Sequence, residues 1–240
     1  MIHTFWKIFK KTPLYPLYRS MIERRAKSKF KRLSAAFRVE GERVLQVFSE
    51  ALNAEGITFW LEFGTLLGYY REHDFIAHDF DLDTGANLTD QPRIRRALEA
   101  AGFELVRYYD VKDDGGREEC YKHRDMQTTI DVFYFRRDGD LMYCNLFVPL
   151  QNMSFRWNLN KPMPFRTVRV NFPAGELQRA EFKGAKVYIP ENTDAHLRAQ
   201  YGDSYMIPNP NFAMKDRKNM VYYTYEEKPC EGLLKIGYAE

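Results

Sequence analysis

Several absences narrow what this chain of 240 residues can be. Its three cysteines, Cys120, Cys144 and Cys230, are an odd number and lie far apart. That pattern argues against a disulfide framework or a cysteine-based zinc site, and it favours a reducing compartment. No run of 18 apolar residues exists, so no transmembrane helix is expected, and the start lacks the apolar core of a signal peptide. With 45% hydrophobic residues, 14 Gly and 11 Pro, the chain is neither disordered nor collagen-like.

The small net charge of +3 conceals an uneven distribution of charge along the chain. Residues 1–33 contain ten Lys or Arg and one acid, Glu23, so this segment carries +9 and the remainder −6. A nucleic-acid binder is expected to carry its positive charge on the folded domain, so we predict no nucleic-acid partner. The pattern instead indicates a basic arm, residues 1–33, attached to an acidic body, residues 34–240.

The basic arm has the spacing of an amphipathic helix. Apolar residues recur three and four apart in two sets, before and after Pro13: Ile2, Phe5, Trp6, Phe9, then Leu14, Leu17, Tyr18, Met21 and Ile22. Apolar residues on one side with Lys and Arg around them are typical of a helix that lies in a membrane interface. We therefore predict a cytoplasmic protein, peripheral to a membrane surface that the arm contacts. Two alternatives remain: a helix packed on the body, and a helix that binds a protein partner.

The body alternates helical and strand patterns and contains no repeats or obvious linker. We predict one α/β (α+β) catalytic domain, with a mixed sheet and flanking helices. The predicted helices cover residues 34–55, 64–71, 89–102 and 193–200. The predicted strands cover residues 57–63, 79–85, 103–111 and a hairpin of 128–135 with 141–148.

Three alternating aspartates mark the predicted strand 79–85. Residues two apart on a strand share a face, so Asp79, Asp81 and Asp83 are expected to project together. Neighbouring carboxylates repel one another unless a cation lies among them, and oxygen-only ligands suit Mg²⁺ or Mn²⁺. A solvated acidic strand edge is the alternative. It is disfavoured because Phe80 and Leu82 are expected to face a core on the opposite side.

Two further features complete a candidate site. Gly64 and Thr65 lie between a strand and a helix, where free N–H groups and the helix dipole suit a phosphate, and Arg71 can add a positive charge. Asp131 is an acid within an otherwise apolar strand, which is costly unless it binds a metal, acts as a base or accepts hydrogen bonds. A phosphate cradle beside a metal site is typical of phosphoryl or nucleotidyl transfer.

These residues resemble a known family. WLEFGTLLGYYREHDFIAHDFDLD (60–83) is similar to the LicD/fukutin family, which pairs a G-[ST]-L-L-G helix start with an aspartate-rich strand, although Ala77 and His78 replace the family's usual Pro and Trp. Residues 172–208 resemble the family's closing stretch, which ends in Tyr-Gly-Asp before a proline. The resemblance covers about residues 57–210 and implies a nucleotidyltransferase-superfamily fold like that of DNA polymerase β.

The resemblance also implies an activity. Such enzymes transfer a phospho-alcohol, phosphocholine-like or a polyol phosphate, from a CDP-activated donor to a hydroxyl of a cell-surface glycan or glycolipid and release CMP. By this resemblance Asp81, Asp83 and Asp131 would hold Mg²⁺ or Mn²⁺, with Asp131 alternatively a base and Asp79 a further ligand or a support. Gly64, Thr65 and Arg71 would hold the diphosphate. The alternatives are a nucleotidyltransferase acting on a small molecule and a binding protein of the same fold without turnover.

Overall fold

The longest element is a helix that joins the arm to the body. The computed structural model describes residues 12–112, 115–150, 162–209, 212–213 and 216–234. Helix α1, Leu14–Ala54, runs for 41 residues across the predicted boundary between residues 33 and 34 without a break. It ends before Gly56, which has φ +62°, as the sequence predicts. The first predicted amphipathic set, residues 2–9, lies outside the described residues.

The two halves of α1 have different surroundings. The second half packs on the body through buried apolar side chains at helical spacing: Phe37, Val44, Leu45, Phe48 and Leu52. The first half leaves Leu14, Leu17 and Met21 exposed. Among the described residues, no helix has the length and apolar character needed to cross a membrane.

Eleven strands and three shorter helices follow α1 in the described chain. The strands are β1 Phe59–Leu61, β2 Asp81–Asn87, β3 Phe103–Val111, β4 Arg117–His123, β5 Thr129–Asp138, β6 Leu141–Pro149, β7 Met163–Pro173, β8 Leu177–Phe182, β9 Ala185–Pro190, β10 Met220–Tyr222 and β11 Cys230–Leu234. The helices are α2 Phe63–Leu67, which continues into a π-helical turn at Gly68–Glu72, then α3 Gln91–Ala100 after a 3₁₀ turn, and α4 Thr193–Tyr201.

All eleven strands belong to one mixed sheet, in the order β10-β7-β11-β3-β4-β5-β2-β1-β9-β8, with β6 bridging β5 and β7. Strands β2 and β5 are parallel, as are β1 and β9, and the other pairs are antiparallel. Because β6 pairs with both β5 and β7, six strands form a closed circuit: β3, β4, β5, β6, β7 and β11. The mixed sheet with flanking helices was predicted, whereas the closed circuit was not.

The main core lies between α1 and the β1–β2–β5 part of the sheet. Phe48 of α1 packs edge-on against Phe59 of β1 and Phe103 of β3, with ring centroids 5.1 and 6.1 Å away. All three rings are almost fully buried, and each contributes about 1.5–3 kcal/mol of hydrophobic stabilisation. Leu82 of β2 and Ile130 of β5 belong to the same core. The residues next to them on each strand therefore point to the opposite face of the sheet.

Helix α1 also contacts the segment that precedes β2. Ser34 Oγ donates to the carbonyl of Asp79 at 2.9 Å, and an Arg38 guanidinium nitrogen donates to the carbonyl of Ala77 at 3.1 Å. Phe80 packs edge-on against Phe30 and remains 36% exposed, so the expectation that Phe80 faces the core is wrong. Its position differs because strand β2 begins only at Asp81.

Candidate active site

The candidate site begins where β1 gives way to α2. Phe63 has φ +42°, a left-handed conformation that side chains other than glycine rarely adopt. Glu62, which caps the helix, holds this turn: its carboxylate accepts from the Phe63 N–H at 3.2 Å and from Trp60 Nε1 at 2.9 Å. His196 Nε2 of α4 lies 2.8 Å from the same carboxylate. The strand predicted over 57–63 is therefore shorter, because Glu62 and Phe63 form the turn.

Gly64 brings backbone directly against two carboxylates. A Cβ atom at this position would lie 3.1 Å from Asp79 Oδ2 and 3.3 Å from Asp83 Oδ2. The Gly64 N–H donates to Asp83 Oδ2 at 3.1 Å, so the group predicted to meet a phosphate is already engaged by an aspartate. The glycine therefore serves the close approach of α2 to the acidic strand.

Thr65 ties the helix start to the same strand. Its hydroxyl oxygen accepts from the Asp83 N–H at 2.8 Å, and the side chain is buried. Thr65 is absent from the walls of the cleft that Gly64 lines. Its observed contact is thus with β2, where it fixes the position of Asp83, and its contact with a phosphate stays a prediction.

The aspartates come together largely as their spacing predicts. Asp81 and Asp83 lie two apart on β2, and Asp83 is directly opposite Asp131 of the parallel strand β5. Asp79 precedes β2 instead of lying on it. Its carboxylate nevertheless lies beside Gly64, as does that of Asp83. Two neighbouring parallel strands and the preceding segment therefore supply four carboxylates to one region.

Crowding and burial change the proton affinity of these groups. Burial raises the pKa of Asp79 to about 6. Burial, followed by the charge of Asp131, raises the pKa of Asp81 to about 8. Burial and then the charge of Asp81 raise the pKa of Asp83 well above its usual range. Without a cation, the cluster therefore retains protons near neutral pH, because burial and the neighbouring carboxylates both disfavour the ionised forms.

Arg107 supplies a positive charge that the sequence analysis missed. Its Nη2 donates to Asp131 Oδ2 at 2.7 Å and lies 3.3 Å from Glu118 Oε1. Arg107 is on β3, 24 positions before Asp131. A sequence signal existed, since Arg107 interrupts the otherwise apolar and aromatic stretch LVRYY, but that stretch does not indicate which acid the guanidinium would meet.

The carboxylate oxygens of the cluster meet some of the requirements of a site for a hard divalent cation. Asp81 and Asp83 offer two adjacent carboxylates, and Asp131 Oδ1 is buried without a hydrogen-bond partner. Carboxylate oxygen is the ligand that Mg²⁺ and Mn²⁺ prefer. Within the described residues, however, no three His, Cys, Asp or Glu side chains already have the spacing of a metal site. One oxygen of Asp131 is taken by Arg107, so a cation on Asp81 and Asp83 fits this arrangement better than one held equally by all three aspartates.

A cleft of about 660 Å³ opens beside the acidic cluster, and Gly64, Asp79 and Asp83 line it. Two arginines face the same space. Arg71 donates through Nη1 to the Tyr205 carbonyl at 3.0 Å and pairs with Glu72, so part of its hydrogen-bonding capacity is in use. The sequence marks Arg217, together with Lys215 and Lys218, as a basic group that can either meet a phosphate or lie on a solvated surface.

Arg217 is supported from two sides. Its guanidinium carbon lies 5.1 Å from the centre of the Phe63 ring. With the Gln200 amide oriented to accept, its oxygen lies 3.1 and 3.2 Å from Arg217 Nε and Nη1. An arginine held in this way presents a fixed positive charge to the cleft that contains Asp79 and Asp83.

Sequence comparisons place these features in a family. Residues 56–192 match the family model described as "LicD/FKTN/FKRP, nucleotidyltransferase domain". The matched range contains Gly64, Asp81, Asp83, Arg107 and Asp131, whereas α1, α4 and Arg217 lie outside it.

Individual relatives agree with the family model. The human "Ribitol-5-phosphate transferase FKTN" is 30% identical over 73% of this chain and 35% of its own length, and the Mus musculus protein is 28% identical over 72% and 34%. This chain thus spans about a third of the length of these relatives. "Uncharacterized protein RP689" of Rickettsia prowazekii is 26% identical over 69% of the chain and 57% of its own length.

A solved structure, the lincomycin-bound lincosamide antibiotic adenylyltransferase LnuA, covers 59% of this chain and 75% of its own. It is 12% identical with a TM-score of 0.35, a likeness too slight to carry a conclusion about the fold. The family model covers more than half of the chain and includes the whole acidic cluster. The chain therefore belongs to the LicD/FKTN/FKRP nucleotidyltransferase-domain family.

Proposed function

We propose that this protein transfers a phospho-alcohol from a CDP-activated donor to a hydroxyl of a cell-surface glycan or glycolipid and releases CMP, with Mg²⁺ or Mn²⁺ as cofactor. The observation that carries the proposal is the cleft in which Asp79 and Asp83 face Arg71 and Arg217. Because several relatives are named ribitol-5-phosphate transferases, a polyol phosphate is the first donor group to test, and phosphocholine is the second.

The charges of the cleft suit a diphosphate that binds together with a divalent cation. Arg71 and Arg217 would bind phosphate oxygens of the donor, since guanidinium groups match the geometry of phosphate. Asp81 and Asp83 would hold the divalent ion, which, when bound, offsets negative charge on the diphosphate. Arg107 holds Asp131 beside this pair and reduces the repulsion between Asp131 and the two aspartates.

Asp79 is the best-placed base for the acceptor. It lines the cleft, and its pKa of about 6 makes it both largely ionised at neutral pH and able to accept a proton. In the proposed step the acceptor oxygen forms a bond to the phosphorus of the phospho-alcohol, and the bond from that phosphorus to the CMP oxygen breaks. The hydroxyl proton passes to Asp79, and CMP leaves with the bonding electron pair.

The test is the release of CMP from CDP-ribitol, CDP-glycerol and CDP-choline, measured by chromatography with Mg²⁺, with Mn²⁺ and with EDTA. We expect cation-dependent CMP release that Asp83→Asn lowers at least about a hundredfold, because the cation site loses a ligand. Asp140→Asn changes an exposed residue in the β5–β6 turn; it is the control and is expected to retain activity. Pyrophosphate released from CTP in the presence of a small molecule, with no CMP from any CDP-alcohol, would favour a nucleotidyltransferase. Donor binding without either product would favour a binding protein.

We also propose that the protein is cytoplasmic and that the first half of α1 contacts an anionic membrane surface, where a lipid-linked glycan acceptor would be found. Exposed Leu14, Leu17 and Met21 share this half with many basic residues. Each Lys or Arg near an anionic leaflet contributes about 1 kcal/mol. No nucleic-acid partner is proposed.

Vesicle co-sedimentation tests the membrane proposal. The 240-residue chain is expected to pellet with vesicles containing phosphatidylserine and to remain free with purely zwitterionic vesicles. The test variant changes three exposed basic residues of α1 to Gln: Arg24, Arg25 and Lys27. The control changes three exposed basic residues of the body to Gln: Arg96, Arg166 and Lys186. Equal binding of both variants, or binding unaffected by lipid charge, would contradict the proposal.

A further inference from the structure

A second and larger cavity lies beside the candidate active-site cleft. It has a volume of about 1020 Å³, compared with about 660 Å³ for the cleft. Its walls come from the π-helical turn after α2, the β8–β9 hairpin and the first turn of α4. Among the described residues none lines both spaces, and the proposed donor chemistry leaves the larger cavity without a role.

The cavity and the cleft are separated by a thin wall. Tyr70 lines the cavity, and the next residue, Arg71, lines the cleft. The ring of Tyr70 lies 6.3 Å from that of Tyr205, which faces the cleft. The Tyr205 hydroxyl donates at 2.6 Å to Asp194, which lines the cavity. A chain-like ligand whose end lies in the cleft therefore needs to cross only this wall to reach the cavity.

The polar groups of the cavity suit a ligand rich in hydroxyl groups. Gln178, Glu181 and Glu191 are exposed, and the described contacts assign their side chains no hydrogen-bond partner. Asn192 also lines the cavity, although its Oδ1 is buried beside Gly175. The amide and carboxylate oxygens of Gln178, Glu181 and Glu191 can accept hydrogen bonds from hydroxyls.

The charge of the cavity argues against a second nucleotide or phosphate. Glu181, Glu191 and Asp194 contribute three carboxylates. Asp194 is paired with Arg198 and the ammonium of Lys183 with Asp74, so the excess negative charge comes from the two glutamates. This balance contrasts with the cleft, where two arginines face the acidic residues. A neutral ligand avoids repulsion here, whereas a polyphosphate would meet an excess of negative charge.

Aromatic rings add an apolar surface of the kind that sugar rings contact. Tyr69 and Tyr70 are both partly exposed and both line the cavity. Phe182 holds the Tyr69 ring edge-on at a centroid distance of 5.4 Å. Rigid aromatic side chains provide contact area at a low cost in conformational entropy. Next to amide and carboxylate acceptors, they form a surface with both apolar and hydrogen-bonding character.

We propose that this cavity binds the saccharide chain of the acceptor, so that the reacting hydroxyl reaches over the Tyr70 wall into the cleft. This proposal rests on the proposed function, in which a glycan is the acceptor. The binding site itself is a separate physical claim: a neutral oligosaccharide binds between the π-helical turn, the β8–β9 hairpin and α4 with no nucleotide present. Gln178, Glu181 and Glu191 would accept sugar hydroxyls, and Tyr69 would contact a ring face.

Saturation-transfer NMR on the full chain tests the site directly. The probes are maltotriose, cellotriose, xylotriose and the trimer of N-acetylglucosamine, each without nucleotide or metal. We expect at least one probe to bind, and the double variant Glu181→Ala, Glu191→Ala to weaken that binding about tenfold or more, the effect of losing two hydrogen bonds. The matched control removes two exposed glutamates outside the cavity, Glu50→Ala with Glu226→Ala, and is expected to bind as the unmodified protein does.

The outcomes separate this inference from the proposed function. Probe binding that the cavity variant weakens and the control variant leaves unchanged supports the saccharide site, even if no CDP-alcohol is cleaved. If none of the four probes binds, or if both variants bind equally, the saccharide site is overturned, even if CMP is released in the donor assay. Thermal unfolding of both variants verifies that each is folded, since all four substituted side chains are exposed.

Discussion

The raised pKa of Asp81 makes the stability of the metal-free protein depend on pH. The native state retains the Asp81 proton up to a pH of about 8, whereas the unfolded chain loses it near 3.8. Between these values unfolding releases a proton, so raising the pH favours the unfolded state. The contribution is about 1.4 kcal/mol per pH unit for each retained proton, or roughly 3 kcal/mol between pH 5.5 and 7.5. Asp83 acts in the same direction, because its pKa is also raised.

The assay is urea unfolding in EDTA at pH 5.5, 6.5 and 7.5, with Asp81→Asn compared with the unmodified chain. We expect stability to fall with pH in both, but less steeply in the variant by about 1.4 kcal/mol per unit. Asp140→Asn, in the exposed β5–β6 turn, should follow the unmodified protein. Saturating Mn²⁺ should flatten the dependence, because a cation binds the ionised carboxylates. Parallel pH dependences for Asp81→Asn and the unmodified protein would refute the reasoning.

Three further substitutions test other parts of the site and core. Gly64→Ala places a methyl group 3.1 Å from Asp79 Oδ2 and 3.3 Å from Asp83 Oδ2, and we expect CMP release to fall about a hundredfold with little change in melting temperature. Full activity would show that the two carboxylates do not need the space beside Gly64. Glu62→Gln removes the carboxylate that Trp60, Phe63 and His196 share, and it should lower the free energy of unfolding in urea by about 2–4 kcal/mol. A change below about 0.5 kcal/mol, as for a surface substitution, would contradict the stabilising role of Glu62 in the turn. Phe48→Ala should cost about 3–5 kcal/mol in the same assay, and a smaller loss would mean that the core collapses around the cavity.

Local patterns in the sequence predicted much of the architecture. Strand β3 has the predicted bounds, and the hairpin around Gly139, which has φ +61°, forms as its turn residues indicate. The approach of Asp81 and Asp83 to Asp131 follows from two-residue periodicity combined with parallel pairing of β2 and β5. Each of these features depends on neighbours in the chain or on one pair of strands, and such information is present in a single sequence.

Other features depend on contacts between distant segments. The closed strand circuit requires β6 and β7 to pair over nine positions, and nothing in either segment indicates its partner. The pairing of Arg107 with Asp131, and the position of Arg217 over Phe63, are likewise set by tertiary packing. The continuity of α1 was missed for another reason: residues 23–33, between the two amphipathic stretches, are mostly basic, and their few apolar residues give no periodicity that would indicate a helix.

Helix α1 is continuous over about 60 Å, with one end in the basic arm and the other in the core. Near its middle, Ser34 and Arg38 donate hydrogen bonds to the backbone just before the acidic strand, and Phe30 packs against Phe80. Because Ser34 Oγ donates to the Asp79 carbonyl, the position of Asp79 at the edge of the cleft depends on where the middle of this helix lies.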